Sequence, residues 1–231
     1  MQDTTQSLIP YEDMLKAGMH FGRKRTVFSP RMGEFVYAVR DGICIIDLLK
    51  TQENLKDAIA FLKTTLSGDG QVLFVAPTKQ SQESVKALAQ ELGMPYVEER
   101  WIGGILTNFK VINARVKHLM DLEDEKAKGG WEKYTKKERV VLERELQKMQ
   151  KNFDGLKRLT RMPDALFVAS LREGAIAVHE ANKMKVPVVA IGNTDSNPDA
   201  IEHVICANDR SKKSVDLIIN AMREALTSDA K

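Results

Sequence analysis

ILTNFKVINARVKHL (residues 105–119) and LERELQKMQKNFDGL (residues 142–156) carry the same apolar rhythm. Ile105, Phe109, Ile112, Val116 and Leu119 step 4-3-4-3 along the first stretch, and Leu142, Leu146, Met149, Phe153 and Leu156 along the second. That repeat lines up one narrow apolar seam on each of two helices. The pair Gly129-Gly130 stands between them and breaks the helical path. Two seams that must leave water, joined by a tight break, predict an antiparallel helical hairpin. An arm of about twenty residues reaches roughly 30 Å, so the hairpin should protrude.

On either side of this hairpin the pattern is α/β. Tyr11 to Ala17 reads as a short helix closed by Gly18, and HFGRKRTVFSPR (residues 20–31) as a basic loop. Strands are expected at Ile43–Ile46, Val72–Ala76, Tyr96-Val97, Ala165–Ala169, Val186–Ile191 and Val204-Ile205. Helices are expected over Lys50–Leu66, Gln80–Leu92, Gly174–Met184 and Val215–Leu226. Strands that are apolar at consecutive positions and alternate with helices belong to a parallel sheet covered on both faces. The expected fold is therefore a Rossmann-like three-layer domain with a parallel sheet, formed by residues 1–104 together with 161–231. An antiparallel coiled-coil hairpin over residues 105–160 is inserted in it.

With 231 residues, 43% of them hydrophobic and 29% charged, the chain can bury a core without staples. No run approaches the ~18 apolar residues of a membrane span, and the polar start MQDTTQS does not read as a signal peptide, which predicts a cytoplasmic protein without a membrane partner. Cys44 and Cys206 lie in apolar, strand-like surroundings and read as buried reduced thiols. The net charge of +3 is unevenly spread: residues 1–40 carry +2, 41–104 carry −3, 105–161 carry +6 and 162–231 carry −2. Such a distribution fits a polyanion footprint on the hairpin and near the N-terminus. A solvated coiled-coil face on which Lys and Glu alternate fits it too.

Nucleotide chemistry finds little support. The segment after Val72–Ala76 is PTKQSQ, without a glycine-rich phosphate cradle, and Gly103-Gly104 opens the hairpin rather than a helix packed on the sheet. Those two glycines read as a backbone turn, with ligand contact as the alternative. The four histidines are scattered, and His179 reads as a helix residue rather than a base. Asp195, Asp199 and Asp209 are turn and cap residues or, alternatively, oxygen ligands for magnesium. Arg23, Lys24, Arg25 and Arg31, interleaved with Phe21 and Phe28, suit phosphate neutralisation and stacking on RNA. Arg100, Asn108, Lys110, Arg115 and Lys117 extend the candidate RNA-binding set onto the first arm, while Trp101 reads as core or as a stacking residue.

LKAGMHFGRK, DGICIIDL, ERWIGGILTNF, TKKERVVLERELQKMQKNFDGLKRL and PDALFVASLREGAIAVHEANKMKVPVVAIGNT together resemble the bacterial ribosomal protein S-two family, from about Leu15 to Leu226. The resemblance implies a noncatalytic small-subunit component held between head and body, contacting small-subunit ribosomal RNA and other small-subunit proteins. It also implies a docking surface for the messenger-RNA-binding protein S-one where that partner exists, and no cofactor. Two departures matter. Arg23 stands where the family commonly has histidine, and Asn193 and Asn197 stand at commonly acidic positions with Asp195 moved between them, which undercuts any metal contact made through those acids and leaves Asp209 alone as a weak anchor. A nucleotide- or sugar-phosphate-binding enzyme on the same fold and a protein-binding coiled-coil adaptor remain the competing readings.

Overall fold

Continuous apolar strands need two covered faces, and in the computed structural model, which describes residues 8–227, they have them. The polar start, residues 1–7, lies outside the described residues. In chain order the sheet strands and their helices are α2 (Leu48–Ser67), β4 (Val72–Val75), α3 (Lys79–Glu91), β5 (Tyr96–Val97), α4 (Phe109–Ala127), α5 (Lys136–Phe153), β6 (Ala165–Val168), α6 (Ala175–Met184), β7 (Val188–Gly192), β8 (His203–Cys206) and α7 (Lys212–Thr227). Before them come α1 (Tyr11–Lys16), β1 (Phe21–Lys24), β2 (Val36–Arg40) and β3 (Ile43–Ile46).

Five parallel strands run in the order β5-β4-β6-β7-β8. Counted along the sheet this is the 2-1-3-4-5 order of a doubly wound domain, so the Rossmann-like expectation holds at the level of architecture. Along β4 the side chains alternate between two cores. Val72 and Phe74 pack with Leu55, Leu62, Leu88 and Ile218 of α2, α3 and α7. Leu73 and Val75 pack with Ala177 and Ala181 of α6 and with Ile105, Val116 and Leu156. Period-two alternation therefore produces an unbroken apolar run when both faces are dry.

Ile43–Ile46 is a strand, but it lies outside the parallel sheet, in a separate antiparallel sheet of order β1-β3-β2. Asp41-Gly42, both at positive φ (50° and 73°), make the two-residue turn between β2 and β3. An Asp-Gly pair is a strong hairpin signal, and it was present in the sequence. The segment expected as a basic loop is β1 followed by two 3-10 turns, Arg25–Val27 and Pro30–Phe35. Its alternation is hidden because the strand has only four residues.

Helices α4 and α5 pack on each other as a hairpin. Leu119, Leu122, Trp131, Leu146 and Met149 form its buried cluster, with Tyr134, Leu142 and Phe153 against it. Lys126 pairs with Glu143 at 2.8 Å, and Gln150 and Lys157 reach Glu123 at 2.7 and 2.8 Å, which fixes the antiparallel direction. Gly129 (φ 74°) turns the chain, and Thr135 starts α5 with a capping box: its backbone N–H donates to Glu138 and its hydroxyl accepts from the Glu138 N–H. The rhythm outruns the helices. Ile105 lies in the turn before α4, and Leu156 lies in a 3-10 turn after α5. No helix among the described residues is long and apolar enough to cross a membrane.

Candidate nucleic-acid interface

In a doubly wound sheet the crest at the strand C-termini is where ligands usually sit. Here the protein fills that crest itself. Gly22 of β1 lies against the segment after β7, where a Cβ would come within 2.7 Å of the Thr194 methyl and 2.8 Å of the Cys44 carbonyl oxygen. With that approach open, the Arg23 N–H donates to Thr194 Oγ1 at 2.8 Å. The Arg23 guanidinium then donates from Nε to Asp195 at 3.2 Å and from Nη2 to Asp209 at 3.0 Å. Asp209 also accepts from the Ser170 hydroxyl (2.7 Å) and the Asn193 amide (3.1 Å), and Arg172 donates to Asp195. The two carboxylates are only 2% and 3% exposed. Buried charges persist only when paired, and here two guanidinium groups meet two carboxylates.

Arg31 is likewise occupied, donating to Asp199 and, at 3.1 Å, to Asn197 Oδ1. The acids considered as magnesium ligands thus hold arginines, and no group of three metal-ligating side chains occurs among the described residues. Lys24 and Arg25 are exposed and have no ion-pair partner among the described residues. Cys44 and Cys206 are free and buried, and burial pushes both thiols up from their ordinary pKa.

At the other edge of the sheet the segment between β5 and α4 wraps around Glu180 of α6. Its Oε1 accepts from Trp101 Nε1 (3.1 Å) and the Gly104 N–H (2.7 Å). Its Oε2 accepts from the N–H groups of Leu106 and Thr107 (3.1 Å each) and the Thr107 hydroxyl (3.0 Å). Burial pushes the Glu180 pKa up, but these hydrogen bonds outweigh it and hold the group below the ordinary glutamate value. Trp101 is buried and belongs to the core, and Gly104 has φ +100°, so the glycine pair is a backbone turn. Sequence reasoning missed Glu180. Its one signal is an acid at a position that shares the buried face of α6 with Ala177 and Ala181.

Asn108 precedes α4, and its backbone N–H donates to the Gly104 carbonyl at 2.8 Å. Lys110 and Lys117 are seven residues apart, hence on one face opposite the buried Ile112 and Leu119, whereas Arg115 lies on another side of the helix, beside the buried seam. These three cations and Arg100 are exposed without an ion-pair partner among the described residues. The structure thus sorts the predicted cations into two locked arginines, Arg23 and Arg31, and six open groups on β1, the 3-10 turn after it, the loop before α4 and α4 itself. A different surface lies between α1, the small sheet and the start of α2. There an open apolar cavity of about 710 Å³ is lined by Tyr11, Leu15, Phe21, Tyr37, Ile43 and Leu49, among others.

A parallel sheet whose crest is closed by its own ion pairs, joined to a charged helical hairpin, is the plan of a scaffold protein rather than of a nucleotide enzyme. The family model described as Ribosomal protein S2 matches residues 14–228, and the chain belongs to that family. It is 43% identical over 212 residues to the small ribosomal subunit protein uS2 of Thermus thermophilus, covering 92% of this chain and 83% of the relative. The proteins of the same name from Bifidobacterium adolescentis and Bifidobacterium longum are 42% identical over 223 residues, covering 94% of this chain and 80% and 78% of theirs. The family is one of structural ribosomal proteins, not enzymes.

Proposed function

We propose that the chain is a stoichiometric component of the small ribosomal subunit in the cytoplasm. It binds small-subunit ribosomal RNA between head and body, next to other small-subunit proteins, and needs no cofactor, metal or membrane. The observation that carries this reading is that Lys24, Arg25, Arg100, Lys110, Arg115 and Lys117 are all exposed without an ion-pair partner among the described residues. Cations left open by a chain that pairs many of its other charges are available to phosphate, and each neutralised phosphate releases counterions. Asn108 adds a neutral hydrogen-bonding group at the start of α4. Arg23 and Arg31 serve the interface indirectly, by locking the segment that presents Lys24 and Arg25. In this reading residues 105–160 behave as a coiled-coil insertion in the domain formed by 1–104 and 161–231, and extend its reach on the subunit.

The apolar cavity beside α1 does not suit phosphate. It suits an apolar protein segment, and protein S-one, where it exists, is the partner the family resemblance implies.

The test is sedimentation of a lysate through sucrose gradients at moderate and high salt. One copy per small subunit, released only at high salt, is expected, and a free peak at moderate salt overturns the reading. Replacing Lys24, Arg25, Lys110, Arg115 and Lys117 by Ala should move the release to lower salt and flatten the salt dependence of RNA binding.

A further inference from the structure

We propose that Glu180 is the positioning residue that fixes the direction in which the helical hairpin leaves the sheet. The proposal rests on the RNA reading above only for its consequence, that the α4 cations are held in place before RNA arrives.

The chain must change course between the end of β5 at Val97 and the start of α4 at Phe109. Its middle is buried, with Ile105 0% exposed and Leu106 1%, while Gly103 and Thr107 on either side are exposed. Buried backbone N–H groups outside helices and strands need acceptors, and the turn has few of its own. One carboxylate from α6 supplies them to three backbone N–H groups and two side-chain donors, divided between its two oxygens. All five donors are neutral, so the segment forms a cradle around an internal anion. Charge-assisted bonds of this kind are roughly twice as strong as neutral ones, and five aimed at one group leave the turn one geometry. That geometry passes directly into α4, because the Asn108 N–H bonds to the Gly104 carbonyl and Gly104 itself donates to Glu180. The middle of the segment RWIGGILTNF is thereby explained: Trp101, Gly104 and Thr107 supply donors, and Ile105 and Leu106 anchor the turn in the core.

A merely stabilising contact and a positioning one differ in what happens to the hairpin while the sheet stays folded. The full chain carries Asp121→Cys on the exposed face of α4 and Lys213→Cys on α7, both spin-labelled, while the buried Cys44 and Cys206 stay unlabelled. In this background a single narrow distance is expected. Glu180→Gln keeps the side-chain volume but turns an amide donor toward donors, and should broaden the distribution at least twofold. Thr107→Val removes one donor at constant shape and should give a smaller broadening, which keeps the test available if Glu180→Gln does not fold. An unchanged distribution in folded Glu180→Gln, or in Thr107→Val if that is the one that folds, overturns the proposal. RNA binding is read separately, with transcribed small-subunit ribosomal RNA and the same labelled proteins. Salt-insensitive binding by the chain with intact Glu180 overturns the RNA reading, whereas the distance distribution alone decides the role of Glu180.

Discussion

The sheet and the distal hairpin are built from similar residues and held in different ways. Every side chain of β4 and β6 is 0% exposed, and each strand feeds two cores. The distal hairpin has one small cluster and surface ion pairs, such as Lys126–Glu143, whose side chains are about 40% exposed. Cohesion therefore resides in the sheet, while the hairpin presents charge on a framework that is stable mainly through its own two helices. The same division holds for the ion pairs. The pairs of Arg23 with Asp195 and Asp209 are largely buried and lock one sheet to another, whereas hairpin pairs such as Lys126–Glu143 and Lys133–Glu125 are open to water.

The strongest attempt to break this contrast is Phe167→Ala. Phe167 is fully buried with the Phe74 ring 5.6 Å away, and its loss should cost about 4 kcal/mol of global stability in denaturant melts. A cost below about 1 kcal/mol would mean that the sheet is not the cohesive unit. Next comes Arg23→Ala, which leaves Asp195 and Asp209 buried with one guanidinium fewer and should cost about 3 kcal/mol. Rising thermal stability in that variant would show that the crest tolerates its acids alone. Leu119→Ala should cost about 2.5 kcal/mol, read by hydrogen exchange as faster opening of α4 and α5 while β4 and β6 amides keep their protection. Equal loss of protection in both regions would erase the distinction. Thr135→Ala removes the α5 cap and should cost about 1 kcal/mol, again confined to the hairpin. Smallest of all, Lys126→Ala breaks a solvent-screened pair and should change stability by about 0.5 kcal/mol or less.

Much of the architecture was legible because its signals are periodic. Consecutive apolar residues mark the strands, and the 4-3 step marks both arms to within a few residues. What escaped has identifiable causes. β1 is too short to show alternation, and β3 was read from its Ile-rich composition without the Asp41-Gly42 turn that assigns it to a hairpin. The candidate site was legible only as a list of cations. Sequence gives the charge of Arg23 and Lys24 equally, and only the fold shows that one faces Asp195 and Asp209 while the other faces solvent. Glu180 stayed hidden because its partners lie more than seventy residues away and all are backbone groups or neutral side chains, which leave no mark in composition.

The register of β4 against β6 has a consequence for how the chain is made. Val72 pairs with Ala165, so the whole hairpin must be synthesised before β4 finds its second neighbour. At translation speeds of about 5–20 residues per second the open edge of β4 waits on the order of five to twenty seconds. During that time a four-residue strand of Val, Leu and Phe is offered to any other strand in reach. Helices α4 and α5, held by contacts near in sequence, can close first and bring the ends of the long connection together, which lowers the entropy cost of the final pairing. The arm proposed to reach out over RNA in the assembled particle would thus serve earlier as a folding clamp, shortening the exposure of a strand that nascent chains could otherwise share.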